Sequence, residues 1–235
     1  MSPHPAVAIA AAAQARRRAE ALALALSDTG DWGEDDVAWA RAAADSLVRL
    51  ARHAGVHAPR TLTEAASLDD RPANAVADAC RALATRVTGP ESPRPTPLGA
   101  ILDAAAGDAD REAGLRGIPV HLDRSGDAGV MIPADHVGPL LDALGLVFRD
   151  AVRHAKPSGA AVRVVVHGDR QDLVIDISDR STGDAPDASG SFLAPGRAPG
   201  LRAAAGSLAV VRGELTAGVG PWGGTAVTVR MPRDA

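Results

Sequence analysis

Hydrophobic positions recur along this chain at two periods, and the change from one to the other divides it. Up to residue 89 the apolar residues come at three- and four-residue spacing, the period of an amphipathic helix. Residues 5–26 are alanine-rich, which favours helix. A break with two glycines and several acids follows. Residues 34–53 then place Val37, Ala40, Ala44, Leu47, Val48 and Ala51 on one face. A second break over residues 55–60 contains Pro59. A third helix is expected from about residue 70 to 87, with Pro72 in its first turn, where a missing donor is harmless. It would bury Val76, Cys80, Leu83 and Val87. At least two of these helices can pair as an antiparallel hairpin.

Pro90, Pro93 and Pro95 mark residues 89–96 as a linker. The domain boundary is placed there, between a helical module over residues 1–89, suited to dimerisation, and a second domain over residues 97–235. A helix opens that domain at Pro97 and ends near residue 117. Strands are then expected over residues 118–122 and 130–132, joined by a turn through Ser125, Gly126 and Asp127.

Residues 140–155 read LLDALGLVFRDAVRHA and return to the helical period. Leu140, Leu144, Val147, Phe148, Ala151 and Ala155 form an apolar stripe. Asp142, Leu146, Arg149, Asp150, Arg153 and His154 form the other. Asp135 is placed to cap this helix, and Pro139 is close enough to its start to be tolerated. After it the period becomes two. Val162, Val164 and Val166 alternate with Arg163, Val165 and His167. Residues 172–178 and 226–231 alternate likewise, which means a sheet with one wet face. The helices at 140–155 and 201–212 should cover the other face. The expected fold class is α+β: a two-layer α/β sandwich with mostly antiparallel strands, preceded by an α-helical hairpin or bundle.

Composition narrows the function. The chain is 46% hydrophobic and 23% charged, as soluble globular proteins are. A net charge of -4 and 2% aromatic residues argue against nucleic acid, which needs a basic face and stacking platforms. Arg16, Arg17 and Arg18 are a lone basic run, read as a solvated helix face. Cys80, the only cysteine, reads as a small buried thiol in a reducing compartment. No stretch approaches a membrane span and no secretory signal is visible, so a cytoplasmic location is expected.

The chemistry-bearing residues cluster in the second half. Asp150, Arg153 and His154 lie three and four residues apart, so an acid, a cation and an imidazole can point at one object. Residues 179–199 form a long loop rich in Gly, Ser, Pro and Asp. It runs from a strand end to a helix N-terminus, whose exposed N–H groups suit phosphate.

Four pieces then stand in order: Asp150-Ala151-Val152-Arg153-His154-Ala155, Asp179-Arg180-Ser181-Thr182-Gly183, Gly200-Leu201, and Gly223-Gly224-Thr225. This order resembles the ATP-binding domain of sensor histidine kinases, in the GHKL superfamily with the Bergerat fold. The resemblance covers residues 97–232. It implies that Asp179 accepts a hydrogen bond from the adenine amino group and that Thr225 supports the base through water. Gly183, Gly200 and Gly224, with Ser181 and Leu201, would line the nucleotide. Arg153 and His154 would contact phosphate or ribose, and Asp150 would take the place of a magnesium-binding asparagine. Residues 183–199 would be the lid over ATP.

The departures from that pattern bear on activity. Leu146 stands where the family usually has glutamate or another polar residue, and leucine can neither abstract a proton nor orient water. General-base help is worth about 10²–10⁴-fold in rate, so hydrolysis by that route should be very weak. Ser181 and Ala198 replace glycines. A family acceptor histidine is usually followed by an acid, and none of the seven histidines here is. His53 and His57 read as ordinary helix-end residues. The expectation is a histidine-kinase-like ATP-binding protein of bacterial signal transduction with weak or absent catalysis, binding ATP and magnesium and regulating a partner. The partner would be a response regulator or another signalling protein, and the chain would be a homodimer through its first helices. The alternatives are an active protein kinase and a non-catalytic scaffold with a vestigial pocket.

Overall fold

The computed structural model describes residues 4–27, 34–65, 73–87, 94–115, 117, 120–126, 129–153, 160–168, 172–179, 199–220 and 224–232. In chain order the elements are α1 (Pro5–Ser27), α2 (Glu34–His53), α3 (Arg60–Ala65), α4 (Ala73–Arg86), β1 (Thr96–Pro97), α5 (Leu98–Leu115), β2 (Val120–Gly126), β3 (Met131–Ile132), α6 (Ala134–Arg153), β4 (Ala160–Gly168), β5 (Asp172–Asp179), α7 (Pro199–Ala209), β6 (Glu214–Val219) and β7 (Thr225–Pro232).

Five strands form one sheet in the order β2-β4-β5-β7-β6, with β2 parallel to β4 and the other neighbours antiparallel. The inner face carries Val162, Val164, Val166, Leu173, Ile175, Ile177, Val227, Val229 and Met231, all buried. The outer face is mostly polar, with Val165 and Val174 half-buried among charged and hydroxyl side chains. His167 Nε2 lies 2.5 Å from Asp176 Oδ2, and Thr228 donates to Asp176 Oδ1 at 2.6 Å. The α+β class and the sandwich of a sheet under a helix layer are as the alternation predicts.

Several local expectations are corrected. Residues 131–132 do not form a hairpin with β2; they pair with Thr96–Pro97 as a separate two-stranded sheet. Ser125 and Gly126 are not a turn but the end of β2, opposite Val165 and Val166. Gly126 closes the strand with a φ of 94°, a conformation side chains disfavour. Asp127 lies outside the described residues, as do residues 70–72 of the third expected helix and residues 89–93 of the expected linker. Asp135 sits inside the first turn of α6, where it favours the helix dipole rather than capping it. α7 stops at Ala209, short of 212. Arg212 turns to a φ of 56°, and the Gly213 amide bonds back to the Leu208 carbonyl at 2.9 Å, closing the helix and aiming the chain into β6. Neither α3 nor β6 was expected.

The larger difference lies on top of the helix layer. α5, α6 and α7 cover the sheet. α1 and α2 then pack on α6 and α7, with α4 against α1. Every residue of α6 from His136 to Phe148 is buried. The stripe of α6 that reads as polar is therefore an interface, and a single hydrophobic core runs from Val7 to Met231.

That interface is held by a buried carboxylate. Asp142 is 2% exposed. Arg18 Nη2 of α1 lies 2.8 Å from Asp142 Oδ2, and Ser207 of α7 donates to the same oxygen at 2.7 Å. Ser46 of α2 donates to Asp142 Oδ1. Arg49, also on α2, comes within 4.0 Å of that oxygen. Arg18 is thus not part of a solvated face; it neutralises a charge that the fold has removed from water.

Candidate functional site

Asp179 ends β5 at a position of inward parity. The strand alternates half-buried and buried residues, and Asp179 follows Leu173, Ile175 and Ile177 on the buried side. Its carboxylate is 6% exposed in residue terms, at the mouth of the sandwich rather than on its wet face. Thr225, the first residue of β7, donates its backbone N–H to Asp179 Oδ1 at 3.0 Å. Gly224 is fixed by this approach. A Cβ there would stand 2.3 Å from Asp179 Oδ1 and 2.4 Å from the Asp179 carbonyl oxygen, distances real Cβ atoms do not adopt. Asp179 and the adjacent pair Gly224 and Thr225, more than forty residues further along the chain, are one unit.

Asp150 and Gly200 form a second unit. A Cβ built on Gly200 would lie 3.8 Å from Asp150 Oδ1, so the carboxylate stands over the first turn of α7. Leu201, the next residue, is buried and anchors that turn in the core. The topology puts the two units at one end of the sandwich. α6 ends at Arg153, and the chain then enters β4, where Val162 is opposite Asp179. The next described element after β5, which ends at Asp179, is α7, whose first turn carries Gly200 beside Asp150. The C-terminal turn of α6, the N-terminus of α7, the end of β5 and the start of β7 therefore share that end.

The other predicted residues divide. Arg153, about half exposed at the last turn of α6, lies 3.6 Å from Glu112 of α5 through its Nε. Arg149 is tied to Glu112 at 2.5 Å and to Asp45 of α2. Burial, with Arg153 nearby, brings the Arg149 guanidinium down to about 10, so it still carries its charge at neutral pH. Leu146 is buried in the core, which leaves that position without a polar atom and without an opening. His154, Ser181 and Gly183 lie outside the described residues, as does the expected lid up to residue 198.

His53 is buried, with Nε2 2.6 Å from Asp108 Oδ2 of α5. Burial would raise the Asp108 carboxyl. The His53 hydrogen bond and charge, with Arg49 and Arg111, outweigh that and hold it below the usual carboxylate range. Phosphorylation of His53 at Nε2 would require this pair to open. Burial pushes the Cys80 thiol up to about 12, which makes it an inert core group.

The residues fit an adenine nucleotide by donor type. A buried carboxylate at a sheet end suits the exocyclic amine, and a helix N-terminus beside a glycine suits phosphate. Asp150 offers one hard oxygen ligand. Magnesium is commonly held by one or two carboxylates together with substrate phosphates, so a single acid is consistent with it. Among the described residues no group of three or more His, Cys, Asp or Glu could hold a metal alone. Sequence reasoning missed Asp45, Glu112 and Arg18. Each is a charge on a helix face that pattern alone assigns to solvent, and its partner lies on a different helix.

No protein-family model matches the chain, and no curated protein matches it in sequence. The chain is similar to several solved structures. The catalytic domain of histidine kinase ThkA is 10% identical over 59% of this chain and 95% of that one, with a TM-score of 0.49. The histidine kinase domain of the Erythrobacter litoralis EL346 blue-light activated kinase is 16% identical over 94% of this chain and 93% of that one, with a TM-score of 0.47. The mycobacterial sensor histidine kinase MprB is 18% identical over 59% of this chain and 97% of that one, with a TM-score of 0.42. All three are likenesses of fold.

Proposed function

We propose that this chain is a histidine-kinase-like ATP-binding protein of bacterial signal transduction, with weak or absent catalysis, that regulates a partner. The observation that supports it most is the seat of Asp179: a carboxylate of inward parity, held by the Thr225 amide and crowded by Gly224, at the end where α7 begins. Such a group selects adenine through a directional, charge-assisted bond. In this reading Asp150 would hold magnesium and Arg153 would meet the phosphates. Magnesium, when bound, would supply charge neutralisation for the polyphosphate. The chain's own residues would bind and orient, and buried Leu146 gives them no base.

The pairing of His53 with Asp108 argues against self-phosphorylation at that residue. A response regulator remains the natural class of partner. A homodimer through the first helices belongs to the same reading. It would need a polar face, or release of α1 and α2 from α6 and α7, because most of their apolar residues are buried inside the chain; Leu24 of α1 and Val37 of α2, the latter expected on the packed face, are exposed. No described helix is long and apolar enough to cross a membrane.

Isothermal titration of the full chain with ATP and magnesium tests the reading. Saturable binding that weakens at least about tenfold in Asp179→Asn, the loss of one charge-assisted bond, is expected. Absence of any heat at millimolar nucleotide would defeat it.

A further inference from the structure

The charged residues at the end of α6 form a line that starts in the N-terminal helices. Asp45 of α2 forms an ion pair with Arg149 of α6. Arg149 Nε lies 2.5 Å from one oxygen of Glu112 on α5. The other Glu112 oxygen lies 3.6 Å from Arg153 Nε. Acid and base alternate, and the line runs outward: the side chains of Asp45 and Arg149 are 15% and 17% exposed, Glu112 24% and Arg153 49%. Arg153 is thus the member that reaches solvent, one turn beyond Arg149 and beside Asp150. Glu112 is shared between two arginines.

We propose that Asp45 is a positioning residue for nucleotide: through Arg149 and Glu112 it sets how far Arg153 is available to nucleotide phosphates. This rests on the nucleotide reading above and adds a regulation of that site. While Asp45 holds Arg149, Glu112 retains negative charge for Arg153, and the carboxylate competes with phosphate for that guanidinium. Without the Asp45 charge, Glu112 turns to Arg149 and Arg153 is released. The line also brings two acids toward a polyanion, so loss of either acid favours phosphate directly. Because α2 supplies Asp45, the seating of the N-terminal helices and the affinity for phosphate are linked. Linkage is reciprocal, so nucleotide should loosen the α2 contact.

The test compares ATP with adenosine, which has the base and no phosphates, by titration of the full chain at low salt. Asp45→Asn and Glu112→Gln should each tighten ATP binding by about three- to tenfold, the size of a partly exposed charge pair. Adenosine affinity should stay unchanged. The gain should disappear in Asp45→Asn combined with Arg153→Gln, and it should shrink as added salt screens the charges. Glu112→Gln lies outside α2 and carries the test if the Asp45 variant does not fold. Equal shifts for ATP and adenosine would mean repacking and overturn the proposal. Binding of ATP that responds to neither substitution would overturn it alone. Binding of neither ligand by the unaltered chain would remove the nucleotide reading and this inference with it.

Discussion

Gly224 and Gly200 share a residue type and differ in what surrounds them. Gly224 is pressed against Asp179, where an added methyl meets both carboxylate and backbone oxygen inside 2.5 Å. Gly200 has only Asp150 Oδ1 nearby, at ordinary contact distance. Gly224→Ala is therefore expected to cost about 1–3 kcal/mol, the range for overpacking, and to move Asp179 out of place. Gly200→Ala should stay within about 0.5 kcal/mol. Urea denaturation of both variants checks the contrast; equal effects would show that Gly224 is not the pinned one. Leu146 makes a related point. The surrounding helices enclose it, so the position belongs to packing.

Helix α6 was readable as a helix and misreadable as a surface. Its apolar stripe and its breaks are in the sequence. So is the alternation of β4, β5 and β7, because valine and isoleucine sit on one parity and polar residues on the other. β2 reads shorter in the sequence than in the structure because its second half, Asp-Arg-Ser-Gly, has no apolar parity; it is held by its parallel pairing to β4. β6 is hard to read because Leu215 alone of its six residues is buried, which leaves no alternation to follow. The polar stripe of α6 was the costliest ambiguity. A charge facing solvent, a ligand or a countercharge on another helix gives the same pattern, and Arg18 and Asp142 are too far apart in the chain for periodicity to join them. Motif order puts Asp179 and Thr225 together, as the structure does, but the Asp45–Arg149–Glu112 line has no such signal.

Two predictions belong to these helix contacts. Arg18→Ala leaves Asp142 buried beside two serine hydroxyls and a distant Arg49. It should destabilise the chain by about 3 kcal/mol, measured as a lower urea midpoint. Arg18→Met with Asp142→Leu should recover much of that, since an apolar pair removes the buried charge. Asp108 links α5 to α2 through His53. Its folded pKa is depressed, so its contribution is present above the unfolded value of about 3.9 and is lost as pH falls through the lower folded value. Asp108→Asn should reduce stability at neutral pH and flatten the decline below about pH 4. A wild-type acid limb unchanged by the substitution would contradict this.

At the scale of the whole molecule, one core spans the sheet, the helix layer and the N-terminal helices. Unfolding of the full chain should be a single cooperative transition, seen alike by circular dichroism and by tryptophan fluorescence. A fragment beginning at residue 94 would expose the outer side of α6 and α7. It should bind a hydrophobic dye strongly and melt over a broad range, whereas the full chain should not. A well-behaved, dye-silent fragment would show that the two halves are held together by less than their shared core suggests.

Helix α6 has neighbours on every side along most of its length. In deuterated solvent its central amides should therefore be the last in the chain to take up label, at the rate of global opening and no faster. A helix so enclosed has little clearance to slide or roll, so a message that passes through α6 from one half of the chain to the other would travel as a redistribution of charge rather than as a movement of that helix.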